Sequence, residues 1–316
     1  MIKKFASALL ALITLLLYGF SVFADDSLDS GDSEEEPRTE NVLVIRNLNS
    51  GDNLKLQAGE SRVFQAGVAA KLMTALVAYE RIGDLDKKLS IPFCASDEKL
   101  RGSASYMGLK YSEADEPMTL EDLLNCAMIS CATDACLSLA VATMRISAGE
   151  TTDFSHSYAA AAAAAGKERG YLTDFVALMN ARAAELGCTS TLFTNCTGVP
   201  DPSSKTTAED IALIAAAVTA HVELFELSDR SSYYLSGGSN QIFTKNALKS
   251  SYMLKGYTLT GVKGMIAGYL QTSDNYCVVT TAESNGLFYI FVAVNTAAAP
   301  QTATGESKTY AAEISA

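Results

Sequence analysis

A single lysine interrupts a long uncharged stretch and invites a chemical interpretation. Lys71 is the only charged residue between Val63 and Tyr79, where alanine, leucine, methionine and valine recur at helical spacing. Buried lysines are rare because removing an ammonium from water is costly. A partly desolvated lysine can accept the proton of a serine that lies three residues earlier, on the same face of the helix. Lys71 is therefore a candidate general base. The alternative is a lysine that buries its stem and pairs its head with water or an acid.

The serine that such a base requires is absent from this helix. The residue three before Lys71 is Val68, whose side chain carries no nucleophilic atom. Ser96 and Lys99 fit a Ser-x-x-Lys pattern, but they follow a predicted strand and lack the apolar helix. We therefore do not favour that pair as a catalytic motif.

The cysteines and histidines do not form a recognisable metal or redox motif. The spacing of five between Cys126, Cys131 and Cys136 fits neither a zinc pattern nor a CxxC motif. The two histidines, His156 and His221, are too few for a His-rich metal site. We therefore expect no metal and no cofactor, and we predict that most of the seven cysteines are small buried hydrophobic residues.

The charge balance and the N-terminal segment restrict the cellular setting. The chain has 316 residues and a formal net charge of -12, without basic clusters, which argues against nucleic-acid binding. Residues 1–24 combine two early lysines, an apolar run and small residues before Ala24, as in a signal peptide cleaved after Ala24. The alternative is an uncleaved anchor, which would be the only membrane contact. Residues 25–40 hold eight acids and one arginine, which predicts a disordered tether outside the cytoplasm.

The order of predicted elements indicates one α+β domain over residues 41–316. Strands are predicted at 41–46 and 54–57, a short strand at 89–93, and β-rich segments after residue 232. Helices are predicted between them; the ranges are 67–82, 118–129, a segment starting at Cys131, 172–187 and 207–221. The Ala-rich segment 145–170 is a possible helical insertion. The strands at the two ends of the domain can share one antiparallel sheet.

Several ordered blocks resemble one protein family. The blocks are "AKLMTALVAYE", "GSASYMGL" with "MTLEDLL", "FVALMNARAAELGCTSTLFTNCTGV", "KTTAEDIALIA" and "FTKNAL". Over roughly residues 41–300 the chain resembles the D-alanyl-D-alanine carboxypeptidases, the low-molecular-mass penicillin-binding proteins of bacterial walls. The resemblance implies an α+β fold with an antiparallel sheet flanked by helices and a helical subdomain, as in β-lactamases and penicillin-binding transpeptidases. In that family a second β-domain and an amphipathic C-terminal helix often follow, so we expect that the chain, which stops at Ala316, ends early.

The family's three catalytic motifs are altered in this sequence. The Ser-x-x-Lys motif keeps Lys71 but has Val68 in place of the serine. The second motif, Ser-Gly-Asn, reads Cys131-Ala132-Thr133, and the third, Lys-Thr-Gly, is read as Lys263-Gly264-Met265. In serine peptidases the loss of the nucleophile costs on the order of 10⁶ in turnover, so the family mechanism cannot run at a useful rate.

The resemblance nevertheless assigns roles to the matching positions. It implies that Lys71 is the base, that Cys131 and Thr133 occupy the proton-relay and substrate-amide positions, and that Lys263 and Gly264 contact the terminal carboxylate and backbone of the substrate. A thiol beside two lysines can have a lowered pKa, so Cys131 is also a candidate substitute nucleophile. The alternative is that Cys131 is an inert replacement for serine.

Three functions follow from these assignments. The first is an exported, bacterial, non-catalytic protein that holds a peptidoglycan stem peptide or a wall-synthesis protein in the old cleft. The second is an active D-alanyl-D-alanine carboxypeptidase with a substitute nucleophile. The third is a relative of class A β-lactamases, which requires the same missing serine and fits the middle blocks less well.

Overall fold

A five-stranded antiparallel sheet with helices packed against one face organises the computed structural model of this protein. The structure describes residues 42–55, 62–96, 105–109, 111, 117–150, 158–236, 240–246, 249, 261–269, 276–284 and 286–295. The predicted signal peptide and acidic tether, residues 1–40, lie outside this range. The strands within the described residues are β1 (Val42–Asn47), β2 (Asn53–Lys55), β3 (Lys88–Leu89), β4 (Met118–Thr119), β5 (Ser232–Tyr234), β6 (Gln241–Phe243), β7 (Val262–Tyr269), β8 (Tyr276–Ser284) and β9 (Leu287–Asn295).

The two ends of the domain meet in this sheet, as the sequence predicts. The strand order is β2-β1-β9-β8-β7, and β1 pairs antiparallel with β9 from Val42↔Val294 to Asn47↔Tyr289. Val42 and Val44 face the main core, whereas Leu43 packs in a smaller cluster on the opposite face. Because both faces of β1 are buried, its sequence is a continuous apolar run rather than an alternating one. The predicted α+β fold is therefore confirmed.

The helices follow the predicted order. They are α1 (Gly67–Ile82), α2 (Leu120–Met128), α3 (Thr133–Ser147), α4 (Tyr158–Glu185), α5 (Ala208–Ala220) and α6 (Val222–Ser228). Helix α1 has the predicted bounds, and its first twelve residues are all buried. It ends at Gly83, whose φ of 72° places it in the left-handed region that favours glycine. A helix that is apolar on every side must lie in the centre of the core.

Helix α2 begins at the capping residue that the sequence indicates. The Thr119 side chain accepts a hydrogen bond from Asp122 N at 3.0 Å, and the Asp122 carboxylate accepts one from Thr119 N at 2.9 Å. This reciprocal arrangement is a capping box, which satisfies N–H groups at the helix start. Within the described residues no single helix is both long and apolar enough to cross a membrane. Helices α5 and α6 are long and apolar enough only when they are taken together, and their axes are bent by 113° at the break between them.

Two predicted segments differ from the structure. The strand predicted at 89–93 is limited to β3, and the chain then forms a 3₁₀ turn at Phe93–Ser96. Pro92 has no N–H to donate to a ladder, so the apolar run does not continue as a strand. Residues 158–170 of the Ala-rich segment and the helix predicted at 172–187 form one continuous 28-residue helix, α4, whereas residues 145–147 are the end of α3. Alanine has the highest helix propensity, and the exposed glycines Gly166 and Gly170 do not interrupt the helix.

A tight backbone contact fixes the start of α1. The Asn195 side chain accepts hydrogen bonds from Thr197 N and Gly198 N and donates one to Val199 O, which closes a turn. This turn places Gly198, at φ 69°, directly against the backbone of Gly67. A Cβ atom at position 198 would lie 2.1 Å from Gly67 O, so only glycine fits there.

We expect Gly198→Ala to lower the free energy of unfolding by about 2–4 kcal/mol, because left-handed strain adds to a backbone clash. Urea denaturation of the full chain measures the loss. The matched control is Gly187→Ala, since Gly187 has φ 83° but no atom within 4 Å of the added Cβ. That variant should lose only about 1–2 kcal/mol. Equal losses in the two variants would show that the contact with Gly67 is not tight.

Candidate active site

Lys71 is the centre of a buried polar cluster. Only 7% of the residue is exposed, and its Nζ donates hydrogen bonds to Cys131 O and, at 3.1 Å, to Thr133 Oγ1. Cys131 lies 60 residues further along the chain, so the fold brings together three of the predicted site residues. Both acceptors are neutral oxygens, and among the residues that the structure describes no carboxylate lies within 4.0 Å of this ammonium. Charged hydrogen bonds therefore replace its hydration shell.

Cys131 is held in an unusual backbone conformation between α2 and α3. Its φ is 56°, and it is the single non-glycine residue with a positive φ in the described part of the chain. For a residue other than glycine, this region costs about 1–2 kcal/mol. The following amide, Ala132 N, donates to Cys126 O at 3.0 Å, which closes the turn. The turn directs the Cys131 carbonyl at Lys71, so the strain is linked to the buried ammonium.

The start of α3 is fastened to the segment 105–109. Thr133 N donates to Ser105 O at 2.8 Å, and the Asp134 carboxylate accepts hydrogen bonds from Met107 N and Leu109 N. Burial raises the pKa of the Asp134 carboxyl, although the hydrogen bonds from Leu109 and Met107 oppose this effect. The segment therefore forms part of the wall of the cluster and brings the Ser105 hydroxyl to it.

A second lysine, Lys245, lies in the cluster, although the sequence motifs assign no role to it. Lys245 Nζ donates to Ser105 Oγ, and Lys245 N donates to Ile129 O at 2.8 Å. Burial lowers the pKa of Lys245; the positive charge of Lys71 lowers it further, and Cys131 opposes this effect. The "FTKNAL" block that supports the resemblance contains Lys245, and that match is the signal that could have identified it.

Strand β7 reaches the cluster through Gly268, not through the predicted Lys263. A Cβ atom at position 268 would lie 2.8 Å from Cys131 Sγ and 3.5 Å from Val68 Cγ2. Val68 is 1% exposed and presents only hydrocarbon at the position of the family's nucleophile. The described residues around Lys71 therefore include the hydroxyls of Thr133 and Ser105 and the thiol of Cys131. Helix α1 supplies no nucleophilic group at position 68.

Lys263 and Gly264 lie at the other end of β7. The register of β7 against β8 shifts between Lys263 and Ile266. Gly268 follows Lys263 by five residues and Gly264 by four, which corresponds to about 13–16 Å along the strand. Lys263 is exposed, with Nζ 5.8 Å from the ring centroid of Phe225. Gly264 N donates to Asp229 Oδ1 at 2.7 Å. The structure does not bring this pair to the Lys71 cluster, and their substrate-binding role stays a prediction.

The remaining candidates are distributed as follows. Ser96 ends the 3₁₀ turn, whereas Lys99 and His156 lie outside the described residues. All seven cysteines are free thiols, and six of them are buried, as predicted. Burial raises the pKa of the Cys136 thiol to about 12. In the part of the chain that the structure describes, no group of three or more His, Cys, Asp or Glu side chains could hold a metal ion.

We expect Thr133→Val to lower the free energy of unfolding by about 1.5–3 kcal/mol, because the buried ammonium loses one of its two acceptors. Chemical denaturation of the full chain measures the loss. Thr143→Val, on the same helix, is the matched control, since the Thr143 hydroxyl donates only to Leu139 O within the helix. Its loss should be within about 0.5 kcal/mol. A Thr133→Val loss no larger than that of the control would contradict the role assigned to Lys71.

Comparisons with known proteins show which families and folds this chain is similar to. The sequence model of the family described as D-alanyl-D-alanine carboxypeptidase matches residues 150–298. The D-alanyl-D-alanine carboxypeptidase DacF of Bacillus subtilis (strain 168) is 25% identical over 290 residues. The match covers 92% of this chain, and the chain spans 65% of the length of that relative.

Two solved structures have a similar fold. The Streptomyces K15 DD-transpeptidase is 23% identical and superimposes with a TM-score of 0.62, covering 81% of this chain and 90% of its own. Penicillin-binding protein D2 from Listeria monocytogenes, in the ampicillin-bound form, is 20% identical with a TM-score of 0.60, covering 81% and 89%. The predicted resemblance is confirmed: in sequence this chain is similar to the D-alanyl-D-alanine carboxypeptidases, and in fold it is similar to the two solved structures.

Proposed function

We propose that this protein is an exported, non-catalytic relative of the D-alanyl-D-alanine carboxypeptidases that binds peptidoglycan stem peptides at the Lys71 cluster. The observation that carries the proposal is the packing of Val68. Its side chain is 1% exposed and lies against Gly268 of β7, at the position where the family has its serine. A hydrocarbon side chain cannot form the acyl-enzyme on which the family mechanism depends.

The cations of the cluster support a binding role. Lys71 and Lys245 both approach Cys131, in a protein whose net charge is -12. One buried and one half-buried cation in an otherwise acidic protein create a local positive potential that suits a carboxylate ligand. A stem peptide that ends in D-alanyl-D-alanine carries such a carboxylate. The signal-like segment 1–24 and the wall enzymes among the relatives support an extracytoplasmic location in a bacterium.

A second candidate is an active carboxypeptidase in which Cys131 replaces the serine. The observation that favours it is the position of the Cys131 thiol, which lies beside Val68 and Gly268, while the carbonyl of the same residue accepts a hydrogen bond from Lys71. A thiolate there could attack the carbonyl of a D-alanyl-D-alanine bond and form a thioester. The exposure of the groups favours binding over catalysis, because Lys245, which can contact a carboxylate, is partly exposed, whereas the residue whose sulfur would have to reach the carbonyl, Cys131, is 3% exposed.

Incubation of the full chain with benzylpenicillin, followed by intact-mass measurement, distinguishes the two candidates. We expect no covalent adduct on the native protein, because position 68 carries no nucleophile. We expect a slow adduct on Val68→Ser, because a serine there precedes Lys71 by one helical turn. The control is Val68→Ala, which should stay unmodified.

The outcomes of this experiment separate catalysis from binding. An adduct on the native protein that disappears in Cys131→Ala would overturn the non-catalytic proposal and establish the second candidate. An adduct on neither the native protein nor Val68→Ser would mean that the cleft no longer admits a β-lactam, and it would count against stem-peptide binding as well.

Titration calorimetry with a pentapeptide that ends in D-alanyl-D-alanine tests the binding role directly. We expect a dissociation constant between about 1 μM and 1 mM. Lys245→Met should weaken binding at least tenfold, because it removes a cation of the cluster. Lys263→Met is the matched control, since Lys263 lies at the other end of β7.

A larger loss of affinity in Lys263→Met than in Lys245→Met would mean that Lys263 binds the terminal carboxylate, as the resemblance implies. The binding proposal would be wrong if the protein bound neither the pentapeptide nor the same peptide ending in a single D-alanine.

A further inference from the structure

Strand β8 places a second buried thiol beside the Lys71 cluster. In the antiparallel register of β7 and β8, Gly268 is the direct partner of Cys277. Partners in such a pair lie about 4.5–5.5 Å apart at Cα, and their side chains point to the same face of the sheet. Cys277 is fully buried and belongs to the main core, on the face that packs against the helices. Because its partner is glycine, Cys277 has no side chain opposite it on β7.

The Cys131 thiol fills the space that a side chain at position 268 would occupy. The sulfur lies 2.8 Å from the point where a Cβ atom of residue 268 would be, closer than real Cβ contacts allow. Cys131 Sγ is therefore the cross-strand neighbour of Cys277, although it comes from the turn between α2 and α3. Cross-strand Cβ positions are about 4.5–5.5 Å apart, so the Cys131 sulfur lies within about 8 Å of the Cys277 Cβ atom. Disulfide formation requires the two Cβ atoms to approach to about 3.5–4.5 Å.

We propose that Cys131 and Cys277 are an oxidisable thiol pair, which a peroxide converts to a disulfide that fastens the turn between α2 and α3 to strand β8. The pair forms because Gly268 of β7 leaves room for the Cys131 thiol, and the partner of Gly268 on the neighbouring strand β8 is Cys277. The inference does not rest on the proposed function, since it concerns only the two thiols and the strand between them.

The oxidation balances with hydrogen peroxide as the only co-reactant. The sulfur of Cys131 attacks one peroxide oxygen, the O–O bond breaks, and a sulfenic acid and one water are produced. The sulfur of Cys277 then attacks the sulfenic sulfur, an S–S bond forms, and a second water leaves. The two thiols lose two electrons in total, and these electrons reduce the peroxide.

The link would act on the candidate active site through the backbone. Cys131 supplies the carbonyl that accepts a hydrogen bond from Lys71, and Thr133 follows two residues later. A disulfide at Cys131 would fix this turn against the sheet, next to the side chain of Val68. Burial raises the pKa of the Cys277 thiol, and the nearby Cys131 raises it further, so disulfide formation should accelerate as the pH rises above neutral.

Treatment of the full chain with a small excess of hydrogen peroxide tests the proposal. We expect the intact mass to fall by about 2 Da and the denatured protein to lose two of its seven thiols. Cleavage after methionines and before aspartates isolates Cys131 in the fragment 129–133 and Cys277 in the fragment 274–316. Without reductant these two fragments should appear as one linked species, which separates when a reductant is added.

Three variants serve as tests and controls. Cys131→Ala and Cys277→Ala should each abolish the 2 Da loss, whereas Cys188→Ala should retain it, because the Cys188 thiol contacts Asp210 O instead. Gly268→Ala should slow disulfide formation at least tenfold, since the added methyl group displaces the Cys131 sulfur. The mapping on the native protein needs no variant to fold.

A linked species that joins Cys131 to Cys136, or any pair without Cys277, would overturn the proposal. So would a protein that keeps all seven thiols or gains oxygen atoms without losing 2 Da. Retention of the 2 Da loss in Cys277→Ala would lead to the same conclusion.

Discussion

The burial of one ammonium group is the constraint on which this site depends. Lys71 lies on a helix that is enclosed by apolar side chains, so its charge must be satisfied by oxygens delivered from elsewhere in the chain. One comes from the Cys131 carbonyl, which a left-handed turn directs inward, and another comes from the first residue of α3. That turn and that helix start are fastened in their place by the Asp134 carboxylate and the segment 105–109.

This dependence explains why a lysine remains where the serine does not. Replacing the serine with valine leaves a well-packed hydrocarbon contact against β7, which costs the fold little. Removing Lys71 would take a charged donor away from the buried Cys131 carbonyl and from the Thr133 hydroxyl, and a hydrogen bond to a charged group typically contributes about 1.5–3 kcal/mol. The lysine therefore has a structural role that is independent of any reaction, and its retention alone does not indicate catalysis.

The helices and strands of this protein can be predicted from the sequence more fully than the residues that form its candidate active site. Helix α1 and the pairing of the terminal strands follow from local apolar patterns, and the Thr119 cap follows from residue types within one turn. Lys245 and Gly268 could not be found in this way, because they enter the site through contacts between distant segments. Lys245 and Ser105 are 140 residues apart in the chain. On β7 the letters Lys-Gly suggested the third motif, but a register shift follows Lys263, and Gly268 meets the helices further along the strand.

The pairing of β1 with β9 also constrains the order in which the protein can fold. Strand β1 lies between β2 and β9, and it cannot acquire its second neighbour until residues 287–295 have been synthesised. The sheet face that covers α1 is therefore incomplete for as long as the C-terminal strands are missing, and long-range pairing of this kind is slow. During that interval the apolar surface of the central helix lacks its cover. If the chain is exported unfolded, the buried lysine and its acceptors can meet only on the far side of the membrane, after nearly the whole polypeptide has crossed.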